Sequence, residues 1–162
     1  MNATTLYLHI PYCKQACHYC DFHFSTQHST ESAVLEAMHA EMAMRSMHKP
    51  WNEAVIKSLY FGGGTPSILA VSELARLIDE AQSLFSFSPT IEITLEANPD
   101  DITPEKLKGW YSIGITRLSI GLQSFNNHEL KSMNRAHDAS HSVQCLEWIA
   151  NSPIKDYSVD FM

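Results

Sequence analysis

Short apolar runs alternate along the chain with segments in which apolar residues recur at every third or fourth position. The runs at residues 5–10, 58–61, 91–97, 117–120 and 158–162 predict five β-strands. The segments between the runs have helical periodicity or helix-start signals. Strand–helix units repeated in this order predict an α/β fold with a parallel sheet and right-handed crossovers.

Helical periodicity is clearest at residues 31–47 and 71–84. The apolar positions that carry it are Val34, Leu35, Met38, Met42 and Met47 in the first segment, and Leu74, Leu77, Ile78 and Ala81 in the second. We interpret these side chains, the methionines included, as the faces of two helices that pack on the sheet. A further helix is predicted at residues 139–149, where Cys145 is expected to be a buried free thiol.

Two shorter helices are predicted from their start signals. Thr103 followed by Pro104 is typical of a capping residue and the first helical position. Asn126 and Glu129 have the spacing of a capping box, which predicts a short helix that ends at Met133.

The composition is that of an ordinary globular protein of 162 residues, which is enough for one domain with a sizeable core. A formal net charge of −7, with histidine counted as neutral, argues against a sequence-independent nucleic-acid binder. Every apolar run is shorter than the roughly 20 residues that span a bilayer. We therefore expect no nucleic-acid partner, no transmembrane segment and a reducing, cytoplasmic location.

The last predicted strand reaches Met162, the final residue. A parallel sheet that ends in an open strand leaves unpaired backbone groups, and these favour pairing with another chain. We therefore expect residues 1–162 to be the N-terminal portion of a core domain whose remaining strands and C-terminal domain are absent. We also expect the separate chain to self-associate.

Cys13, Cys17 and Cys20 follow the first predicted strand in the segment PYCKQACHYCDF. Three thiols at C-x3-C-x2-C spacing can converge on one metal centre, but they cannot all pair with one another. Cysteine thiolates are the usual ligands of iron–sulfur clusters, and a 4Fe-4S cluster has four irons to ligate. Three ligands from one loop leave one iron open, which indicates a catalytic or cofactor-binding protein.

A zinc site is the main alternative for these cysteines. Cys17 and Cys20 could form a C-x2-C pair, with Cys13 and either His18 or His23 as further ligands. A zinc finger would carry a second ligand pair roughly 12–15 residues after the first, and the sequence has none at that spacing.

The remaining candidate polar residues also follow predicted strands. Ligands of β/α folds bind beyond the carboxyl ends of the strands. Residues 62–64, a run of glycines, follow the second strand, and Glu96 lies near the end of the third. Gln123 follows the fourth strand and Asp160 lies in the fifth, so we expect these groups on the same rim as the cysteines.

Five segments, in order, resemble landmarks of the radical S-adenosylmethionine (radical SAM) superfamily: HIPYCKQACHYCDF, YFGGGTPS, LEANPDD, RLSIGLQSF and VDFM. They are most similar to the oxygen-independent coproporphyrinogen III oxidase group, and the resemblance covers nearly the whole chain. It implies a parallel partial (β/α) barrel, of which this chain supplies about four units and the start of a fifth strand.

The resemblance implies that Cys13, Cys17 and Cys20 hold a 4Fe-4S cluster whose open iron binds S-adenosylmethionine. In the superfamily, reduction of the cluster cleaves the sulfonium of this cofactor. Gly63, Gly64 and Thr65 would lie against its methionine end. The other implied cofactor-binding residues are Glu96 and Gln123 at its ribose and methionine parts, Arg135 at a carboxylate, Asp160 at the ribose, and Tyr7 and Tyr19 at aromatic positions around the cluster.

Two departures separate this chain from the oxidases that decarboxylate coproporphyrinogen. Those enzymes carry a further cysteine two residues after the third, where this chain has Phe22. They also carry a longer segment ahead of the first cysteine, Cys13 here. Both features resemble heme chaperones of the HemW type, which bind heme and deliver it to respiratory-chain proteins. A heme chaperone is therefore implied, with an oxygen-independent oxidase or an inactive fragment as alternatives.

The implied partners are heme or a porphyrin, a recipient hemoprotein of the respiratory chain, an electron donor and a second copy of the chain. No residue is assigned as the heme ligand. His9, His18, His23 and His137 are candidates by residue type alone, because imidazole is a common axial ligand.

Overall fold

The computed structural model describes residues 3–162, and the structural statements below refer to that part of the chain. Five strands form one sheet in the order β1-β2-β3-β4-β5, and each neighbouring pair is parallel. The strands are β1 Ala3–Ile10, β2 Val55–Gly63, β3 Ser86–Ala97, β4 Arg117–Gln123 and β5 Asp156–Phe161. The helices are α1 Glu31–Ser46, α2 Val71–Leu84, α3 Pro104–Ser112, α4 Asn127–Ser132 and α5 Ala139–Ala150, with short 3-10 helices at Pro66–Ile68 and Pro99–Asp101.

The two faces of the sheet differ in polarity. The core-facing side chains, buried with apolar residues of the helices, include Leu6, Leu8 and Ile10 of β1, Leu59 and Phe61 of β2, Ile93 and Leu95 of β3, and Leu118, Ile120 and Leu122 of β4. The opposite face carries polar side chains that bond across strands, such as Ser58 to Thr5 at 2.9 Å. Alternation of this kind follows from the two-residue period of a strand.

Several predicted element boundaries are wrong. β2 begins at Val55 instead of residue 58, because it pairs there with both β1 and β3. β3 begins at Ser86 instead of residue 91, through a polar segment without local strand signal. β4 continues to Gln123, beyond the predicted end at residue 120, because β5 pairs with it there. The strands are therefore longer than their apolar runs indicate, because pairing with neighbouring strands extends them.

The first helix departs from the prediction at its C-terminal end. α1 ends at Ser46, and the side chain of Met47 is 67% exposed instead of packed. Met42 is buried and Met38 is partly buried against the core, as predicted. The methionines of this helix are therefore core residues only in part.

The predicted helix caps are confirmed in part. The Thr103 hydroxyl accepts the Lys106 N–H at 3.2 Å, so α3 begins as predicted. The Asn126 side chain accepts the His128 N–H at 2.9 Å, but Glu129 does not complete a capping box. Its carboxylate accepts a hydrogen bond from the Ser124 hydroxyl instead.

Two further expectations concern buried and membrane-crossing segments. Cys145 is a buried free thiol, as predicted, and burial raises its pKa to about 11. No helix within residues 3–162 combines the length and the apolar character needed to cross a membrane.

Candidate functional site

A cleft of ≈ 220 Å³ lies at the carboxyl ends of the strands. Eleven of the twelve residues that the sequence analysis selected line this cleft; they are Cys13, Cys17, Tyr19, Cys20, Gly63, Gly64, Thr65, Glu96, Gln123, Arg135 and Asp160. Residues from four strand ends and from the cysteine loop (residues 11–25) therefore meet there, as the rim argument predicted.

Tyr7 is the selected residue that does not line the cleft. It lies on β1 with half of its side chain exposed, and its ring stacks near that of Tyr60 at a centroid distance of 5.9 Å. Its hydroxyl lies 3.3 Å from His9 Nδ1. Burial, and then the nearby Glu96 carboxylate, raise the pKa of Tyr7. Tyr7 thus belongs to the polar face of the sheet.

The three cysteines of the loop are free and partly buried. The Thr65 hydroxyl donates to Cys13 Sγ at 3.4 Å, and Arg135 Nη1 donates to Cys17 Sγ at the same distance, 3.4 Å. Burial raises the pKa of Cys13, and the hydrogen bond from Thr65 acts against that rise. Donors directed at sulfur stabilise a thiolate, whether free or bound to a metal.

This donor set fits an iron–sulfur cluster better than a single metal ion. Within residues 3–162, no three His, Cys, Asp or Glu side chains converge closely enough to hold one ion. A 4Fe-4S cluster takes one cysteine on each ligated iron, so its thiolates need not meet at one point. Neither His18 nor His23, the further ligands of the zinc alternative, lines the cleft.

The glycine segment after β2 packs directly against the backbone of the cysteine loop. Gly64 N–H donates to Ile10 O at 2.8 Å, and Thr65 N–H donates to Tyr12 O at 2.7 Å. A Cβ on Gly64 would lie 2.6 Å from Tyr12 O, so a side chain cannot be accommodated there. Gly63 has a φ of 112°, a conformation that favours glycine.

Glu96 is held by two donors at the end of β3. Tyr60 OH donates to Oε1 at 2.8 Å, and Gly63 N–H donates to Oε2 at 3.1 Å. Burial, followed by this hydrogen bond and the carboxylate charge, raises the pKa of Tyr60 to about 12. The carboxylate therefore has a fixed orientation, with lone pairs left over for a ligand in the cleft.

Arg135 connects the cysteine loop to the strand ends. In addition to Cys17, Nη1 donates to Tyr19 OH at 3.1 Å. Nη2 donates to Asn98 Oδ1 and to Gly121 O, both at 2.6 Å. Its buried Nε has no hydrogen-bond partner in the described chain, so one N–H remains for an acceptor.

Gln123 and Asp160 complete the rim on the side of β4 and β5. Gln123 is buried and has a φ of 71°, a left-handed conformation that is uncommon outside glycine. The β4–β5 ladder shifts by one residue there, because Gly121 pairs with Asp160 and Gln123 pairs with Phe161. Both side chains line the cleft.

Other residues of the cleft carry no functional expectation from the sequence. Asn98, which had no assigned role, donates from Nδ2 to Thr65 Oγ1 at 3.1 Å and accepts from Arg135 Nη2. Its place directly after β3, in the segment LEANPDD, is a signal that could have revealed it. Gln15 and Ser119 also line the cleft and have no comparable signal.

The histidines considered as heme ligands lie outside the cleft. His137 is buried, and its Nε2 donates to Leu122 O at 3.1 Å. Burial, and then the charge of Arg135, lower the pKa of His137. Its position behind β4 is that of a packed histidine.

The sequence model of the radical SAM superfamily matches residues 7–162, almost the entire chain. The chain belongs to the radical SAM superfamily. It is 35% identical over 162 residues to heme chaperone HemW of Haemophilus influenzae, covering 98% of this chain and 42% of that protein. It is also 34% identical over 158 residues to heme chaperone HemW of Bacillus subtilis, covering 96% and 41%.

A solved structure supports the same fold. The structure of coproporphyrinogen III oxidase (HemN) from Escherichia coli, a radical SAM enzyme, matches with a TM-score of 0.86 at 26% identity, covering 98% of this chain and 36% of that one. The parallel sheet is therefore part of the partial barrel of this fold. The chain spans about two fifths of the length of the curated relatives, as the 42% and 41% coverage shows.

Proposed function

We propose that this chain is the N-terminal part of a heme chaperone that binds a 4Fe-4S cluster and S-adenosylmethionine and delivers heme to respiratory hemoproteins. The proposal depends on one observation above all: three free thiols share a cleft with eight further residues implied for the cofactor. Its heme part rests on the similarity to proteins named heme chaperone HemW.

Each of the twelve selected residues has a role in this proposal. Cys13, Cys17 and Cys20 would hold the cluster, which when bound supplies one-electron reduction and an iron open to S-adenosylmethionine. Thr65 and Arg135 would donate hydrogen bonds to two of the sulfurs, as they do to the free thiols.

The remaining residues would bind the organic part of the cofactor. Gly63 and Gly64 would place their backbone against its methionine end. Glu96, fixed by two donors, would accept hydrogen bonds from a hydroxyl or ammonium group. The free Nε–H of Arg135 suits a carboxylate. Gln123, Asp160 and Tyr19 would complete the polar wall, with Tyr7 further down the polar face.

An oxygen-independent coproporphyrinogen III oxidase is the second candidate, favoured by the structural match to HemN. Phe22 weighs against it. This residue lines the cleft with 73% of its side chain exposed, at the position where decarboxylating oxidases carry a further cysteine.

Electron paramagnetic resonance (EPR) on the anaerobically reconstituted, dithionite-reduced protein tests the cluster and the cofactor together. We expect a four-iron signal that shifts when S-adenosylmethionine is added. Cys17→Ala should abolish the signal, and Cys145→Ala, which removes a thiol outside the cleft, should retain it. A cluster signal that ignores the cofactor, or the absence of a cluster, contradicts the proposal.

Two assays on the same preparation separate the candidate functions. A heme chaperone should bind heme stoichiometrically in an absorbance titration and should not consume coproporphyrinogen. Coproporphyrinogen-dependent formation of 5′-deoxyadenosine would instead establish the oxidase. The electron donor, the recipient hemoprotein and a homodimer remain parts of the proposal to be tested with the loaded protein.

A further inference from the structure

The cysteine loop has little regular structure of its own. A single bridge between Tyr12 and Ser25 joins its two ends, where Cys13 N–H also donates to Ser25 O at 3.0 Å. Within residues 14–24, the described backbone makes one internal hydrogen bond, from Cys20 N–H to Cys17 O at 3.2 Å. Ordering such a segment has a cost in conformational entropy, so contacts with other elements must hold its shape.

The first set of contacts joins the loop to the segment after β3. Lys14 Nζ donates to Asp100 Oδ2 at 2.9 Å and forms an ion pair with Asp101. The Asp101 side chain is 1% exposed and accepts the Ser67 hydroxyl at 2.7 Å. A buried carboxylate is unfavourable without a cation, so Asp101 and Lys14 hold each other in place.

The second set joins the loop to the C-terminal end of α4. Gln15 Nε2 donates to Asn134 O at 3.0 Å and to Asn134 Oδ1 at 2.7 Å, and Asn134 Nδ2 donates back to Ala16 O at 2.7 Å. His18 N–H donates to Met133 O at 3.1 Å. The loop thus supplies donors to the carbonyls at a helix end, which lack partners inside the helix.

Asn134 is suited to this place by its backbone. Its φ is 56°, the left-handed conformation that commonly ends a helix and that asparagine tolerates better than most residues. Arg135 comes next and donates to Cys17 Sγ, so the same turn fixes both the loop and the guanidinium.

We propose that these two sets of contacts are clamps that position Cys13 and Cys17 before a cluster is bound. Lys14 is adjacent to Cys13. Asn134 bonds to Gln15 and Ala16 before Cys17, and Met133 bonds to His18 after it. Lys14, Gln15 and Asn134 are then positioning residues, because none of them supplies a sulfur ligand. This inference rests on the proposed cluster site, and it adds that the fold prepares that site in the metal-free protein.

Hydrogen–deuterium exchange of the metal-free protein tests the clamps without any cluster. Lys14→Met removes the first clamp, and Asn134→Gly removes the side chain of the second while keeping the left-handed backbone accessible. Losing one or two hydrogen bonds should raise exchange in peptides that cover residues 13–20 by about tenfold or more. Lys49→Met, which breaks the exposed pair with Glu53, is the matched control and should leave this segment unchanged.

Cluster content after reconstitution distinguishes positioning from a purely structural role. We expect the EPR spin count per chain to fall about threefold or more in Lys14→Met and Asn134→Gly, which corresponds to about 0.7 kcal/mol. Hydrogen exchange of β2–β4 should stay unchanged in both variants. Lys14→Arg, which keeps the positive charge, should recover the spin count. Full cluster content in both variants would overturn the inference even if exchange rises.

The outcomes also separate this inference from the function proposed above. A metal-free loop that exchanges like an unstructured peptide, or variants that exchange like the parent, overturn the clamps. The parent protein could instead show no cluster signal while its residues 13–20 are protected from exchange and both variants lose that protection. This result would contradict the proposed cluster binding and support the clamps.

Discussion

Gly64 marks the closest approach between the glycine segment and the cysteine loop. The atoms that an added Cβ would meet are Tyr12 O, Ile10 O and Tyr12 N, at 2.6, 2.9 and 2.9 Å. All three belong to backbone that is tied into β1 and its continuation, so no side-chain rotation can relieve the clash. The identity of this residue is therefore set by packing, before any role with a ligand.

Gly64→Ala should lower the free energy of unfolding by about 1–3 kcal/mol, the usual cost of overpacking, and should weaken cluster retention. Urea denaturation of the metal-free protein measures the first effect. Gly109→Ala is the control, because the atoms nearest to its Cβ belong to the side chain of Val71 instead of backbone, and alanine favours the helix. Equal stability of Gly64→Ala and the parent would contradict the packing argument.

At the scale of elements, β2 and β3 are joined on the polar face by Tyr60 and Glu96. The two residues lie on paired strands, and the phenol donates to the carboxylate at 2.8 Å. Burial and this bond favour the protonated phenol, so the pKa of Tyr60 is raised to about 12 in the folded chain. The unfolded chain lacks both effects.

This difference predicts a pH dependence. Above its ordinary pKa of about 10, the unfolded chain loses the phenolic proton that the folded chain keeps up to about pH 12. The stabilisation from Tyr60 is therefore complete below about pH 10 and lost as the pH rises through 12. The stability difference between the parent and Tyr60→Phe should shrink over this interval, measured by urea denaturation.

Tyr111→Phe serves as the control for this experiment, because Tyr111 is exposed on α3, away from the sheet. The difference in the free energy of unfolding between Tyr111→Phe and the parent should not shrink over this pH interval. A Tyr60→Phe difference that is independent of pH would show that the cross-strand bond does not distinguish the two protonation states.

At the scale of the whole molecule, β1 and β5 are the two edges of the sheet in the described chain. β5 carries two exposed aromatic side chains, Tyr157 and Phe161, and Phe125 lies beside Phe161 at a ring distance of 5.7 Å. An open edge with apolar side chains is a template for pairing with another chain.

The 162-residue chain on its own should therefore self-associate as its concentration rises, which light scattering would detect. Tyr157→Lys places a charge on the β5 edge and should shift the population toward monomer. Tyr111→Lys, which charges an exposed aromatic position on a helix, should not. A monomer at all concentrations would contradict this prediction.

The sequence by itself determined the order of the elements and the rim on which the site lies. Apolar runs located all five strands, and the rule that ligands bind beyond the strand ends placed the cysteines, the glycine segment, Glu96, Gln123 and Asp160 on the rim where the cleft lies. This succeeded because both signals are local: periodicity within an element, and a polar residue directly after it. Resemblance to the radical SAM superfamily supplied the cofactors that local signals could not name.

The tertiary structure decided the contacts between distant segments. Strand pairing extended β2 to Val55 and β3 to Ser86, beyond their apolar runs. Ser124 bonded to Glu129 and prevented the capping box that spacing predicted. The clamps at Lys14 and Asn134 join residues far apart in sequence, because polar groups pair with whatever partner the fold brings within hydrogen-bond distance.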